Sequence, residues 1–264
     1  MNPFLEMAVE TAREAGAVLL AEFSKPQKIS YKGEADLVTE ADRRSEETIV
    51  NRLRSHFPKH AVVAEEGSGH ESESRYTWYV DPLDGTTNFA HGYPAFAVSI
   101  GLVEDGEPVA GVVYNPVSGE LFTAGKGEGA YLNQRPIRVS AVERLAVSLL
   151  GTGFPSHKRA QNPNIHYYWD FTLRSHGVRR NGSAALDLCA VACGRFDGFW
   201  EFGLKPWDTA AGVLLVREAG GLATDFAGRP YRLGGPELLA SNGRIHTEMQ
   251  QVCADIAERV GAKL

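Results

Sequence analysis

The segment Asp81-Pro82-Leu83-Asp84-Gly85-Thr86-Thr87-Asn88-Phe89 is the densest run of chemistry in the chain. A β-like run, Thr77-Trp78-Tyr79-Val80, leads into it. Two carboxylates three residues apart then flank a turn stiffened by Pro82. Gly85 lets the backbone approach a ligand closely, and Thr86-Thr87 can open a helix. Consecutive amides at such a turn can receive an anion, while Asp81 and Asp84 can hold a hard cation. A phosphate ester bound through Mg²⁺ needs both at one place. Alone, the same residues read equally well as a surface turn with a helix-capping aspartate.

Three further acidic motifs stand at element boundaries, where a scaffold presents functional groups. Ala64-Glu65-Glu66-Gly67 follows the strand-like Val62-Val63-Ala64, and by itself reads as a solvated loop. In Lys205-Pro206-Trp207-Asp208-Thr209-Ala210-Ala211-Gly212, Asp208 stands where an N-cap would. Thr39-Glu40-Ala41-Asp42 fits a capping box, which by itself makes Asp42 structural. Together the motifs say more. If Glu65, Asp81, Asp84 and Asp208 converge, each pair ~4 Å apart repels by about 4 kcal/mol at an effective dielectric of 20. With no local excess of Lys or Arg, a cation must neutralise them. Oxygen donors select Mg²⁺, Mn²⁺ or Ca²⁺ over zinc.

Composition narrows the classes around this reading. The chain has 264 residues, 43% hydrophobic and 23% charged, enough to bury a large core. Its 33 acidic against 27 basic residues give a net charge of -6, which argues against a general nucleic-acid or anionic-membrane binder. No apolar run approaches the ~18–20 residues of a membrane span. The N-terminal MNPFLEMAVE carries acids where an export signal needs bases. Three cysteines make a disulfide framework improbable, and a cytoplasmic location is expected.

Outward from the central motif, Leu5, Ala8, Ala12, Ala15 and Leu19 recur at helical spacing, with Pro26 as the stop. Residues 28–38 read as an extended segment or hairpin around Gly33. A second helix is expected from Thr39 to about Phe57, and a polar, mobile loop from Glu66 to Arg75. From Phe96 to about Val139 the pattern is a β-meander, turning at Asp105-Gly106 and Ser118-Gly119. Beyond residue 146, strand and helix alternate, with helices over Ser183–Cys193, Asp208–Ala219 and Ile245–Val260. The expected organisation is an α+β half, 1–145, with the metal and phosphate motifs. An α/β half, 146–264, packs tightly against it, with any site in the crevice between.

The run DPLDGTTNFAHGYPAFAVSIGL, preceded by LVTEAD and AEEG and followed by GSAALDLCAVACG and WDTAAG, resembles the inositol monophosphatase family in motif and order across the chain. The resemblance implies a layered α-β-α-β-α sandwich of the sugar phosphatase type, a homodimer and sensitivity to lithium. It implies two or three Mg²⁺ per site, with Mn²⁺ a possible substitute, held by Glu65, Asp81, the Leu83 carbonyl, Asp84 and Asp208. Thr86 and Glu65 would hold the attacking water, with Asp42 behind Thr86. The Gly85 and Thr86 amides would receive the phosphate, and Asp84, the Ala184 backbone, Glu201 and Asp208 would meet the substrate. Lys32 matches a family lysine only loosely, because the preceding segment is one residue shorter than in animal members. The implied reaction is hydrolysis of myo-inositol monophosphate by direct attack of a metal-activated water. The alternatives are a relative acting on fructose bisphosphate, NADP, histidinol phosphate or an adenosine bisphosphate, and a non-catalytic regulatory protein on the same scaffold.

Several residues stay outside that assignment. Cys189 and Cys193, four apart on an apolar helix, read as core. Tyr167, Tyr168 and Trp169 read as packing or subunit contact. Arg179-Arg180 can attract a substrate phosphate, pair across an interface or end a solvated strand, and His91 can line the cleft.

Overall fold

The computed structural model describes residues 3–25, 29–31, 37–154 and 162–261. The first elements are α1 (Pro3–Phe23), β1 (Ile29–Tyr31), β2 (Leu37–Thr39), α2 (Glu40–His56), β3 (Ala61–Ala64), β4 (Tyr76–Asp84) and α3 (Thr86–Ala90). A meander follows: β5 (Ala97–Glu104), β6 (Glu107–Asn115), β7 (Glu120–Gly125), β8 (Gly129–Leu132) and β9 (Arg135–Pro136). The remainder alternates: β10 (Leu149–Thr152), α4 (Asn164–Arg174), β11 (Gly177–Arg179), α5 (Ala184–Ala192), β12 (Gly198–Phe202), α6 (Pro206–Glu218), β13 (Leu222–Thr224), β14 (Glu237–Ser241) and α7 (His246–Gly261).

Two larger sheets result. One runs β3-β4-β5-β6-β7-β8-β9, parallel only between β3 and β4. The other runs β11-β10-β12-β14-β13, parallel across its first three strands. Strand alternation sends neighbouring side chains to opposite faces. On β6, Val112 joins the core under α1 and α2, while Val113 joins the one around α5 and α6. On β12, Phe199 enters the α5/α6 core and Trp200 the core under α4 and α7. Helix α1 buries Leu5, Ala8, Ala12, Ala15 and Leu19, the stripe its sequence spacing predicts. The layers are therefore helix, sheet, helix, sheet, helix, as the resemblance implies.

The middle helix layer comes unusually close to the first sheet. Gly101 and Gly111 face each other across β5 and β6. A Cβ at Gly101 would fall 2.9 Å from the Ala211 nitrogen, and one at Gly111 2.9 Å from the Ala211 Cα. Two bare positions thus let the α6 backbone rest on the sheet, which fixes the depth of the helix start that carries Asp208.

Three local expectations are corrected, and one segment without an assigned element proves helical. Strand β4 continues to Asp84 through a bulge between Asp81 and Asp84, so the two acids sit on an irregular strand end and not on a separate turn. Asp208 is the third residue of α6 and not its N-cap; Lys205 caps, and its N–H donates to Asp208 Oδ2 at 2.7 Å. The loop after Glu65 is anchored: buried Glu46 on α2 accepts from Glu66 N, Ser68 N and Ser68 Oγ at 2.6–2.9 Å. The aromatic run at 165–171 is helical, in α4, because its inner residues Tyr167 and Phe171 find a packed face. Strands β1 and β2 pair antiparallel as the hairpin expectation requires, while Pro26, Lys32 and Gly33 lie outside the described residues.

The glycine contact gives a stability test. Gly111→Val should destabilise the fold by roughly 1–3 kcal/mol in urea unfolding, because the helix cannot retreat without opening both cores. A loss within about 0.5 kcal/mol, the scale of a neutral surface change, would show the contact to be slack.

Candidate active site

A cavity of about 360 Å³ opens where the end of β4 and the start of α3 face β12 and the N-termini of α5 and α6. Its walls include Glu65, Asp81, Leu83, Asp84, Gly85, Thr86, Ala184, Glu201 and Asp208. Residues as far apart in sequence as Glu65 and Asp208 therefore share one space.

Local chemistry places each group. Gly85 holds φ at 98°, a left-handed conformation, and a Cβ there would meet the Ala95 carbonyl at 2.9 Å. That conformation turns the chain from β4 into α3 and leaves Gly85 and Thr86 on the cavity wall. Asp42 serves two elements. Its Oδ2 accepts from Thr39 N at 2.8 Å and Thr39 Oγ1 at 2.6 Å, closing the start of α2. Its Oδ1 lies 3.0 Å from Thr86 Oγ1, which also reaches the Leu83 carbonyl at 3.1 Å. The capping and supporting readings of Asp42 are thus both realised in the geometry.

Asp81 is buried, while Glu65, Asp84 and Asp208 are partly exposed to the cavity. Asp81 is pushed well above the ordinary carboxylate range, first by burial and then by the charges of Glu65, Asp84 and Asp208; the Leu83 N–H opposes this. Asp208 rises well above that range too, through burial and Asp84. Asp84 is pushed up to about 6 by burial, restrained by donors from the second sheet's side. Ser183 Oγ donates to Asp84 Oδ2 at 2.5 Å and Ala185 N at 2.7 Å, so Asp84 sits on the first turn of α5. Asn88 adds a second tie, donating to the Asn181 carbonyl at 2.7 Å.

At the other end of the cavity, Glu201 and Asp187 are both buried and both raised, Glu201 by burial and then by Asp187. Arg180, on the cavity wall, opposes both shifts. Asp187, Arg180, Ser183 and Asn88 are site residues that motif reading left unassigned or open. The signal for Ser183 was present in sequence, as the N-cap of α5 in GSAALD. His91 is exposed at the end of α3 and lies off the cavity wall, as does Arg179. Cys189 is buried in the core, and burial pushes its thiol well up.

The donor set suits a hard divalent cation: carboxylates and one carbonyl, with burial and like charge both favouring a cation among them. Among the described residues, no group of three or more His, Cys, Asp or Glu side chains is placed to hold a metal ion unaided. Mg²⁺ does not require one, since it keeps several waters and shares its sphere with substrate phosphate. Each carboxylate also offers about four acceptor sites, so a single protein hydrogen bond does not exhaust it.

The sequence profile of the inositol monophosphatase family matches residues 1–260. A Synechocystis protein named inositol-1-monophosphatase is 47% identical, over 96% of this chain and 90% of the relative. A Pseudomonas aeruginosa protein named Nus factor SuhB is 46% identical, over 92% of each. The solved inositol monophosphatase structure from Anabaena (Nostoc) superposes with a TM-score of 0.87 at 45% identity, covering 96% of this chain and 95% of the other.

The electrostatics give a test without any assay of turnover. Asp81 ionises at higher pH folded than unfolded, so its contribution to stability falls as pH rises through the folded value. Burial lowers His60 and His246, which act in the opposite sense near neutrality, so a variant must isolate the aspartate. In EDTA, Asp81→Asn should melt above the wild type, by a margin that widens from pH 5 to pH 8 and shrinks when Mg²⁺ is added. A margin that narrows with rising pH would contradict the raised carboxyl.

Proposed function

Since this chain belongs to the inositol monophosphatase family, we propose that it is a Mg²⁺-dependent phosphoric monoester hydrolase acting on myo-inositol monophosphate or a closely related polyol phosphate. The observation that carries the reading is the convergence of Glu65, Asp81, Asp84 and Asp208 with Thr86 and the Gly85 amide on one cavity wall. Glu65, Asp81, the Leu83 carbonyl, Asp84 and Asp208 would hold the metal. Bound Mg²⁺ supplies charge neutralisation at the phosphoryl oxygens and a lower pKa for the attacking water.

The chain's own groups do the rest. Asp42 accepts the Thr86 hydroxyl proton, which leaves a Thr86 lone pair for a water in the cavity. Glu65 is the second acceptor for that water and the general base. The Gly85 and Thr86 N–H groups, at the start of α3, meet phosphoryl oxygens. No Ser, Cys or His nucleophile is required, and the site must supply a share of an acceleration of up to ~10²¹. Glu201 and the Ala184 backbone meet the polyol hydroxyls. The acidic lining of that end, relieved only in part by Arg180, favours a neutral polyol over a second phosphate.

The second reading, a non-catalytic regulatory protein, is favoured by the name Nus factor SuhB carried by a relative 46% identical. Retention of Glu65, Asp81, Asp84, Thr86 and Asp208 supports catalysis. Phosphate release decides between them. With Mg²⁺, the wild type should hydrolyse myo-inositol monophosphate faster than fructose bisphosphate, NADP or histidinol phosphate, and lithium should inhibit it. EDTA or Asp81→Asn should reduce turnover by at least about 10³-fold, the scale of losing a main electrostatic element. Near-normal Mg²⁺-dependent turnover in Asp81→Asn sinks the mechanism, and no release from any ester favours the regulatory reading.

A homodimer is part of the proposal. Ile165, Trp169 and Leu173 lie four apart on α4 and are 55%, 66% and 69% exposed, an apolar stripe facing away from the core. Tyr167 turns inward against Phe202 and Phe226, so the contact falls to Trp169 and its neighbours. In sedimentation, Trp169→Asp should convert a dimer to a 28.7 kDa species; a wild type already at that mass would refute the dimer.

A further inference from the structure

We propose that Gly153, pinned by Asn164, is a positioning residue that sets where Glu201 presents its carboxylate, and thereby sets the preference for polyol phosphates over esters without hydroxyls. This rests on the reading of the cavity as a polyol phosphatase site. Gly153 follows β10 and lines the cavity beside Glu201. A Cβ at Gly153 would overlap the Glu201 carboxyl carbon and both of its oxygens. The carboxylate therefore lies directly over the bare α-carbon. Gly151, two residues earlier, is likewise bare, its Cβ position 3.5 Å from the Asp187 carboxyl carbon.

The backbone at Gly153 cannot retreat from Glu201. Asn164 is fully buried in the first turn of α4, and its Nδ2 donates to the Gly153 carbonyl at 2.5 Å and to Thr152 Oγ1 at 2.9 Å. Its Oδ1 accepts from Trp200 Nε1 at 2.6 Å. Thr152 Oγ1 in turn donates to the Trp200 carbonyl at 2.7 Å, and Thr152 and Trp200 are partners in the parallel β10–β12 register. The residues preceding Gly153 and Glu201 are thus tied to each other and to one amide. A side chain at 153 must move the carboxylate, since the strand has nowhere to go. A glycine kept only for packing would affect stability and leave substrate preference alone.

The test compares myo-inositol monophosphate with p-nitrophenyl phosphate, which has no polyol, in the wild type, Gly153→Ala, Glu201→Asp and the double variant. In Gly153→Ala the ratio of kcat/KM between the two esters should fall by about tenfold, the scale of a charged hydrogen bond, and chiefly through KM for the inositol ester. Glu201→Asp withdraws the carboxylate by one methylene and vacates the contested space. Adding Gly153→Ala to it should therefore cost nothing further in that ratio. Equal losses on both esters, or losses that add in the double variant, would overturn the proposal. If Gly153→Ala does not fold by circular dichroism, a folded double variant supports the clash and an unfolded one overturns it. A wild type that hydrolyses neither ester overturns the phosphatase reading itself, and this inference with it.

Discussion

Glu65, Asp81, Asp84 and Asp208 face a common cavity in which burial and like charge both oppose ionisation of Asp81 and Asp208. Such a cluster persists only if the surrounding structure compels it. Here the compulsion is visible at Asp81, Asp84 and Asp208. The Leu83 N–H holds Asp81, the first turn of α5 holds Asp84, and the Lys205 N–H holds Asp208. These three carboxylates are oriented by backbone amides, which stay fixed when a side chain would relax. The cost of holding them is free energy that a cation and a phosphate can release on binding, which ties stability to ligand affinity.

The same contacts join the two sheets. Asp84 comes from the end of the first sheet and Asn88 from α3 just after it, while Ser183, Ala185 and the Asn181 carbonyl come from the segment opening α5. The Gly101–Gly111 pair brings α6 down onto that first sheet, and with it Asp208. Close helix–sheet approach is thus a condition for the cavity as well as for the core. A shift of the middle layer would change both.

The two ends of the cavity differ in kind. Around Asp81 the groups are acceptors and amides suited to a phosphate and a hard cation. Around Glu201 they are carboxyls moderated by Arg180, backed by a strand with no side chains at Gly151 and Gly153. The bare α-carbon of Gly153, just after β10, lets the Glu201 carboxylate lie against the backbone, in the way that Gly85 lets the turn into α3 pack on Ala95. In both places the missing Cβ is what makes room for function.

Much of this was readable from the chain. The α1 stripe, the capping box at Thr39–Asp42, the meander turns and the acidic motifs rest on local periodicity and turn chemistry, which survive without tertiary context. Where the readings failed, packing had overruled local preference. The strand at Asp81–Asp84 bulges where a turn was expected, and the loop after Glu65 is held by buried Glu46. Sequence alone determined which oxygen-donor and glycine-turn motifs the chain carries, because these are properties of residues and short spacings. Only the tertiary structure decided that Asp42 reaches Thr86, that α5 receives Asp84, and that Glu201 rests on Gly153. Those contacts span 44 to 101 residues of chain, and no local pattern encodes them.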